Sequence, residues 1–310
     1  MKIFHSIQSF TPTKQTIVTI GTFDGVHIGH RKILEQITRS AHALNCESLV
    51  LTFFPHPRLV LQEDDEMKQL NTLDEKLDLL ANLGIDNLVI HPFDKAFSRM
   101  TAKEFVIEFL VNVFKVKKII IGHDHRFGRN RTANIKDLIA FGETYGFEVE
   151  QISAEEINEV SISSTKIRNA LLEGNIQLAT TYLGYNYSLT GIVCKGKQLG
   201  RTIGFPTANV VIEENYKLIP LNGVYIIKSI LETKTIYGMM NIGTRPTVDG
   251  TSQTIEVNFF DFNQNLYNKK ITISLLKRMR SEQKFSSVDD LKTQLLLDKI
   301  SANEYISQLD

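Results

Sequence analysis

Along residues 1–150, short apolar runs alternate with longer stretches in which apolar positions recur every three to four residues. The runs at 17–20, 48–54, 87–90, 118–121 and 147–152 are brief, bounded and mostly rich in Val, Ile or Phe, and they read as strands. The stretches 30–44, 73–83, 102–114 and 135–145 carry helical periodicity, and a last helical stretch covers 164–183. Strands separated by helices imply parallel pairing through right-handed crossovers. This half is therefore expected to be an α/β sheet sandwiched by helices. The continuous run Ile119, Ile120, Ile121, Gly122 fits a parallel strand buried on both faces.

After Gly184 the rhythm changes to strand-like segments at 187–193, 208–212, 224–231, 235–242, 255–262 and 271–276, separated by turns bearing Gly, Asn or Pro. Six closely spaced strands with no long helix between them argue for an antiparallel barrel or sandwich. Residues 287–308 read as a terminal helix, with Ser287 and Asp290 spaced for capping. The pattern predicts two domains, 1–183 and 184–310.

Composition narrows the function classes. The chain has 310 residues, and about 150 per domain again gives two. Lys and Arg number 35, as do Asp and Glu, so no bulk charge draws the chain to nucleic acid or to an anionic membrane. No segment approaches the roughly 18 apolar residues of a membrane span, and the first residues lack the apolar core of a signal peptide. Cys46 and Cys194 are far apart, which excludes a disulfide scaffold or a Cys-rich zinc site. A cytoplasmic protein with small-molecule partners is expected, with monomer and weak oligomer both open.

Candidate chemistry gathers at three places in the first half. Residues 21–31, GTFDGVHIGHR, sit where the first strand meets the first helix. Ligands of open α/β sheets bind at that edge, where a helix N-terminus offers free N–H groups to an anion. His27 and His30 can face one phosphate there, and Gly21, Gly25 and Gly29 let the backbone approach it. The pattern is neither GxGxxG nor a Walker loop, and no third ligand at zinc spacing accompanies the histidines. Residues 122–131, GHDHRFGRNR, and 162–168, ISSTKIR, follow at the same edge with hydroxyls and cations suited to phosphates, although Ser163 or Ser164 also suits a helix N-cap.

In the second half, residues 196–209 read GKQLGRTIGFPTAN. A Gly-rich loop with Lys197 and Arg201 can wrap a polyphosphate through backbone N–H groups. Thr207 and Asn209 project to one side of an extended stretch, offering oxygens of the kind that Mg²⁺ takes. Taken alone, the segment fits a polar turn entering a strand.

GTFDGVHIGH, TFFPHPR, IIIGHDHRFG and ISSTKIR, in that order, resemble the bacterial bifunctional riboflavin kinase/FAD synthetase family, whose first domain is a Rossmann-like nucleotidylyltransferase. The 196–209 loop, GVYII, NIGTRPT and IEVNFFDFNQNLY resemble its flavokinase domain, so the likeness spans nearly the whole chain. It implies a six-stranded all-β flavokinase barrel with a C-terminal helix, making FMN from riboflavin, and an FMN adenylyltransferase making FAD, with ATP and Mg²⁺ at both sites. By this resemblance His27, His30 and Arg168 serve adenylyl transfer. Gly21, Phe23, Asp24, Gly25, Gly29, Asp124, Arg126, Phe127, Ser163, Ser164 and Thr165 bind nucleotide or flavin in the first domain. Gly196, Lys197, Gly200, Arg201, Gly204 and Pro206 do so in the second, where Thr207 and Asn209 hold Mg²⁺ and Glu256 is the catalytic base. The chain departs from the family at His125, where Phe is usual, at Ala133–Asn134, and at Asn268, where Gly is common and where Asn still tolerates a left-handed turn. Two rival readings are a chain with one silent domain and a non-catalytic flavin-binding module. The second would predict loss of Glu256 or of the HxGH motif, and both are present.

Overall fold

The computed structural model describes residues 1–61, 67–123, 125–153, 162–196, 200, 203–247 and 250–309. The chain divides into two compact units, Met1–Ser164 and Thr165–Asp310.

The first unit is built on a six-stranded parallel sheet: β1 (Lys2–Phe4), β2 (Thr16–Ile20), β3 (Glu47–Phe53), β4 (Asn87–His91), β5 (Val116–Gly122) and β6 (Glu148–Ile152), in the order β1-β4-β3-β2-β5-β6. β2 and β4 are buried along their whole length, and their apolar residues, Ile17, Val18 and Ile20 in one and Leu88, Val89 and Ile90 in the other, show no strict period-two alternation. On one face Val18, Ile20, Leu49, Leu51 and Ile119 pack against Phe105, Phe109 and Leu110 of α4 (Ala102–Phe105) and its π-helical continuation Val106–Val113, and against Leu138 of α5 (Ile135–Tyr145). On the other, Ile17, Val50, Leu88 and Ile120 meet Ile33, Leu34, Ile37 and Ala41 of α1 (Ile28–Ala43) and Leu80 of α3 (Leu73–Ala81). α2 is the short helix Pro57–Leu61. The sheet is a three-layer α/β sandwich, as expected.

The strand order reverses between β2 and β5. The loop after β2 leads to α1 on one face and the loop after β5 leads to α5 on the other, which opens a crevice at their carboxyl ends. The two loops there are 21–27 and 123–134, which carry the first two sequence clusters.

The second unit is a closed antiparallel barrel, β10-β11-β8-β7-β12-β9, of β7 (Ser188–Cys194), β8 (Ala208–Val211), β9 (Gly223–Leu231), β10 (Lys234–Thr247), β11 (Gly250–Phe259) and β12 (Lys270–Arg280). Closure gives each strand a neighbour on both sides. β7 alternates half-buried and buried positions, the period of a strand with one face inward. Helix α8 (Val288–Ile306) lies against the outside, where Ala302, Leu295 and Tyr305 join Phe205, Ile226, Met239 and Leu276. The buried Asp298 carboxylate binds Arg280 of β12 through Nε at 3.0 Å and Nη2 at 2.7 Å, pinning the helix to the barrel. Ser287 caps that helix by accepting from the Asp290 N–H at 3.0 Å, as the sequence suggested.

The single helix expected over 164–183 is two, α6 (Ser164–Leu172) and α7 (Ile176–Leu183). Gly174 at φ +77° ends the first, and the Asn175 side chain caps the second by accepting from the Leu178 N–H. From Thr165 onward these helices belong to the second unit, where α7 packs on β12 and the Leu171 carbonyl accepts from Leu221 N–H at 3.0 Å. Asn268 takes φ +61°, the left-handed turn expected of it.

Candidate active sites

At the crevice of the first unit, β2 turns through 21–27 into α1. Gly25 (φ +86°), Phe23 (+46°) and Val26 (+36°) all take left-handed backbone. For a β-branched Val this is costly, and it is held by burial of both Phe23 and Val26 among Ile33, Ile37 and Ile120. A Cβ on Gly21 would sit 3.1 Å from the Phe23 ring. Phe23 thus anchors the loop from within the core.

His27 is the N-cap of α1, its Nδ1 accepting from the His30 N–H at 3.3 Å, and Gly29 is buried in the first turn. The two imidazoles stack with centroids 3.6 Å apart. Burial pulls His27 down to about 4 against the opposing pull of Asp24. Burial, then the charges of His27 and Lys76, push His30 well below the ordinary histidine value. Both rings are therefore neutral near pH 7. With Nδ1 accepting, neutral His27 carries its proton on Nε2, where it can be donated to an anion. The buried Nδ1 of His30 has no hydrogen-bond partner among the described residues.

Asp24 is buried, and its Oδ1 accepts from the Leu70 N–H at 2.9 Å. Its carbonyl accepts from the Ser164 hydroxyl at 2.9 Å, which brings the end of the ISST segment to the HxGH loop within one unit. Ser163 is half-buried beside it. Thr165, exposed, and Arg168, half-buried, lie on α6. In the 123–134 loop, Arg126 is exposed while Phe127 is buried against Phe105 and exchanges two backbone hydrogen bonds with Ala133, at 3.1 and 3.2 Å. Phe127 packs into the core and closes that loop. Asp124, Lys197 and Arg201 lie outside the described residues.

Lys76 was not singled out in the sequence. It is 2 % exposed, and its Nζ donates to the Thr22 carbonyl at 2.8 Å. One signal was available: Leu73, position 76 and Leu80 fall on one stripe of α3, and a lysine interrupts that stripe.

In the second unit, Glu256 on β11 lies directly across from Asn209 on β8 and from Asn241 on β10. Asn209 also lies across from Cys194 on β7. Residues paired in this way project to one side, so these four share a face, while Ile255, Val257 and Val193 are buried on the other. The Thr207 hydroxyl is 3.4 Å from Glu256 Oε2. A Cβ on Gly196 would collide with the Asn209 side-chain amide. Gly200 accepts from the N–H groups of Ile203 and Phe205 at 3.2 and 2.8 Å, and Gly204 sits at φ +85°. Gly204 thus takes a left-handed backbone that favours glycine, and a Cβ on Gly200 would collide with the Phe205 carbonyl. Exposed Pro206 accepts from Asn258 Nδ2 at 2.8 Å. Asn241, also overlooked in the sequence, donates to Glu282 Oε1 at 3.3 Å. Hydroxyl, amide and carboxylate oxygens form a donor set suited to hard Mg²⁺. No group of three or more His, Cys, Asp or Glu side chains among the described residues could hold a metal, so such an ion would lean on Thr207, Asn209 and substrate oxygens.

A family model described as FAD synthetase matches residues 10–166, and one described as riboflavin kinase matches 183–306. The bifunctional riboflavin kinase/FMN adenylyltransferase of Escherichia coli K12 is 38% identical over 308 residues, covering 98% of each chain. This chain belongs to the bifunctional riboflavin kinase/FMN adenylyltransferase family. The Bacillus subtilis member is 36% identical over 301 residues, covering 95% of this chain and 94% of its own. Among solved structures, a protein described as a macrolide-efflux protein from Streptococcus pneumoniae superposes with a TM-score of 0.89 at 30% identity, covering 97% of this chain and 98% of that one. No helix among the described residues is long and apolar enough to cross a membrane.

Proposed function

We propose that this enzyme phosphorylates the 5′-hydroxyl of riboflavin with ATP to give FMN, and adenylylates FMN with a second ATP to give FAD and pyrophosphate. Adenylylation is assigned to residues 1–183 and phosphorylation to 184–310, in the cytoplasm. The observation that carries the reading is the presence of two separate phosphate-handling constellations. His27 caps a helix at the switch point of one unit with His30 stacked on it, and Thr207, Asn209 and Glu256 lie together on the barrel in the other.

In the first unit, His27 donates Nε2–H to the polyphosphate while the start of α1 presents free backbone N–H groups to it. Adenylyl transfer needs alignment and neutralisation of phosphate charge more than covalent help. The hydroxyls of Ser163 and Ser164 belong to the same site. In the second unit, Glu256 takes the hydroxyl proton as riboflavin oxygen attacks the γ-phosphorus and ADP leaves. Thr207 and Asn209 would hold Mg²⁺, which supplies neutralisation of the triphosphate. Incubation of the pure protein with riboflavin, ATP and Mg²⁺ should yield both FMN and FAD on chromatographic separation. FMN without FAD would leave only the kinase assignment standing, and neither product would sink both.

A further inference from the structure

We infer that Lys76 is a positioning residue for adenylyl transfer: its buried ammonium, bonded to the Thr22 carbonyl next to the Asp24 carboxylate, holds the 21–27 loop in the form that presents His27 and His30 to phosphate. The inference rests on the assignment of adenylylation to this loop.

A lysine buried to this extent loses its hydration and is tolerated only against partners. Those partners are both in the loop, the Thr22 carbonyl at 2.8 Å and the charge of Asp24. Thr22 also accepts from the Thr52 hydroxyl at 3.3 Å, and Asp24 is bound by Leu70 N–H and Ser164 Oγ. The backbone between these anchors includes left-handed Phe23 and Val26, a conformation that persists only where its surroundings over-determine it. α3 is itself well fixed, with the Thr72 side chain and Glu75 forming a reciprocal cap at its start. Lys76 therefore transmits the position of a rigid helix to a strained loop. A leucine or methionine would fill the same stripe of α3 without the desolvation cost, so the cation has a task other than packing.

The charge has a second consequence. The groups bearing on His30 are the stacked His27 on its own helix and Lys76 on α3, while Asp24 in the loop bears on both of those. An ammonium near His30 disfavours its protonated form, so removing it raises the pKa of the imidazole.

The test uses the full-length protein carrying Lys76→Met or Lys76→Gln, with riboflavin phosphorylation as the internal control for the second unit. Lys76→Met should lower kcat for FMN adenylylation by roughly 10–100-fold, with a smaller change in KM for ATP. The acid limb of its pH–rate profile should move to higher pH, because His30 now protonates more easily. Lys76→Gln keeps an N–H for Thr22 and should recover part of kcat, while its acid limb stays displaced. Parental kcat and an unmoved profile in either variant would overturn the proposal. So would loss of FAD formation only because the first unit has unfolded in both variants, read by thermal unfolding, since Lys76 would then be structural. Failure of the parental chain to make FAD from FMN would fault the assignment of the loop instead.

Discussion

Glu256 stands at a position where strand pattern and chemistry pull apart. Its neighbours Ile255 and Val257 are buried on one side of β11, and Glu256 faces the other with two asparagines opposite and a threonine hydroxyl 3.4 Å away. Such a carboxylate, with a hydroxyl close by and two amide side chains on the paired strands, suits a proton acceptor. Glu256→Gln preserves the shape and removes the acceptor. The kcat for riboflavin phosphorylation should then fall by roughly 10²–10⁴, with little change in riboflavin affinity by flavin fluorescence titration. A defect confined to KM would make Glu256 a binding residue. Thr207 and Asn209 were legible because period-two alternation says which positions of one strand share a side, and Glu256 was legible through the family resemblance. Lys76 was not, because a lysine on a helix is ordinarily solvated and only tertiary packing reveals that its stripe is covered.

Elements were legible in proportion to their length and periodicity. The central strands declare themselves as unbroken apolar runs, whereas β1 spans only Lys2–Phe4, is mostly exposed, and carries no pattern to read. The break between α6 and α7 was missed for a different reason. Apolar periodicity continues across it, and Gly174 alone sets the stop by taking φ +77°. That glycine also has close neighbours: a Cβ there would lie 2.6 Å from Arg278 Cδ and 3.2 Å from Leu221 Cδ2. Arg278 cannot swing aside freely, because its Nη2 donates to the Asn222 carbonyl at 2.8 Å. Gly174→Ala therefore combines left-handed strain with a clash and should destabilise the second unit by about 1–3 kcal/mol, seen as a lower Tm for the barrel transition. An unchanged Tm would mean that the helices sit loosely on β12.

For the whole molecule, the decisive feature is that each unit has its own core and its own set of residues proposed to handle phosphate. The α/β unit closes its core with Ile33, Leu34 and Leu80 over the sheet, and the barrel closes its own beneath α8. The HxGH loop and the Thr207–Asn209–Glu256 face lie in different units. The two reactions should therefore be separable by mutation without dividing the chain. His27→Ala combined with His30→Ala removes the N-cap of α1 and both imidazoles. In the proposed role these groups act on phosphate charge that is redistributed in the transition state, so kcat for FAD formation should fall along with ATP binding. Riboflavin phosphorylation should continue at the parental rate, and FMN should accumulate in a reaction supplied with riboflavin, ATP and Mg²⁺. FAD produced at the parental rate would show that adenylylation does not depend on this loop. Loss of phosphorylation as well, in a protein whose circular dichroism is unchanged, would show that the two sites are coupled, and the independence argued from their separate cores would fail.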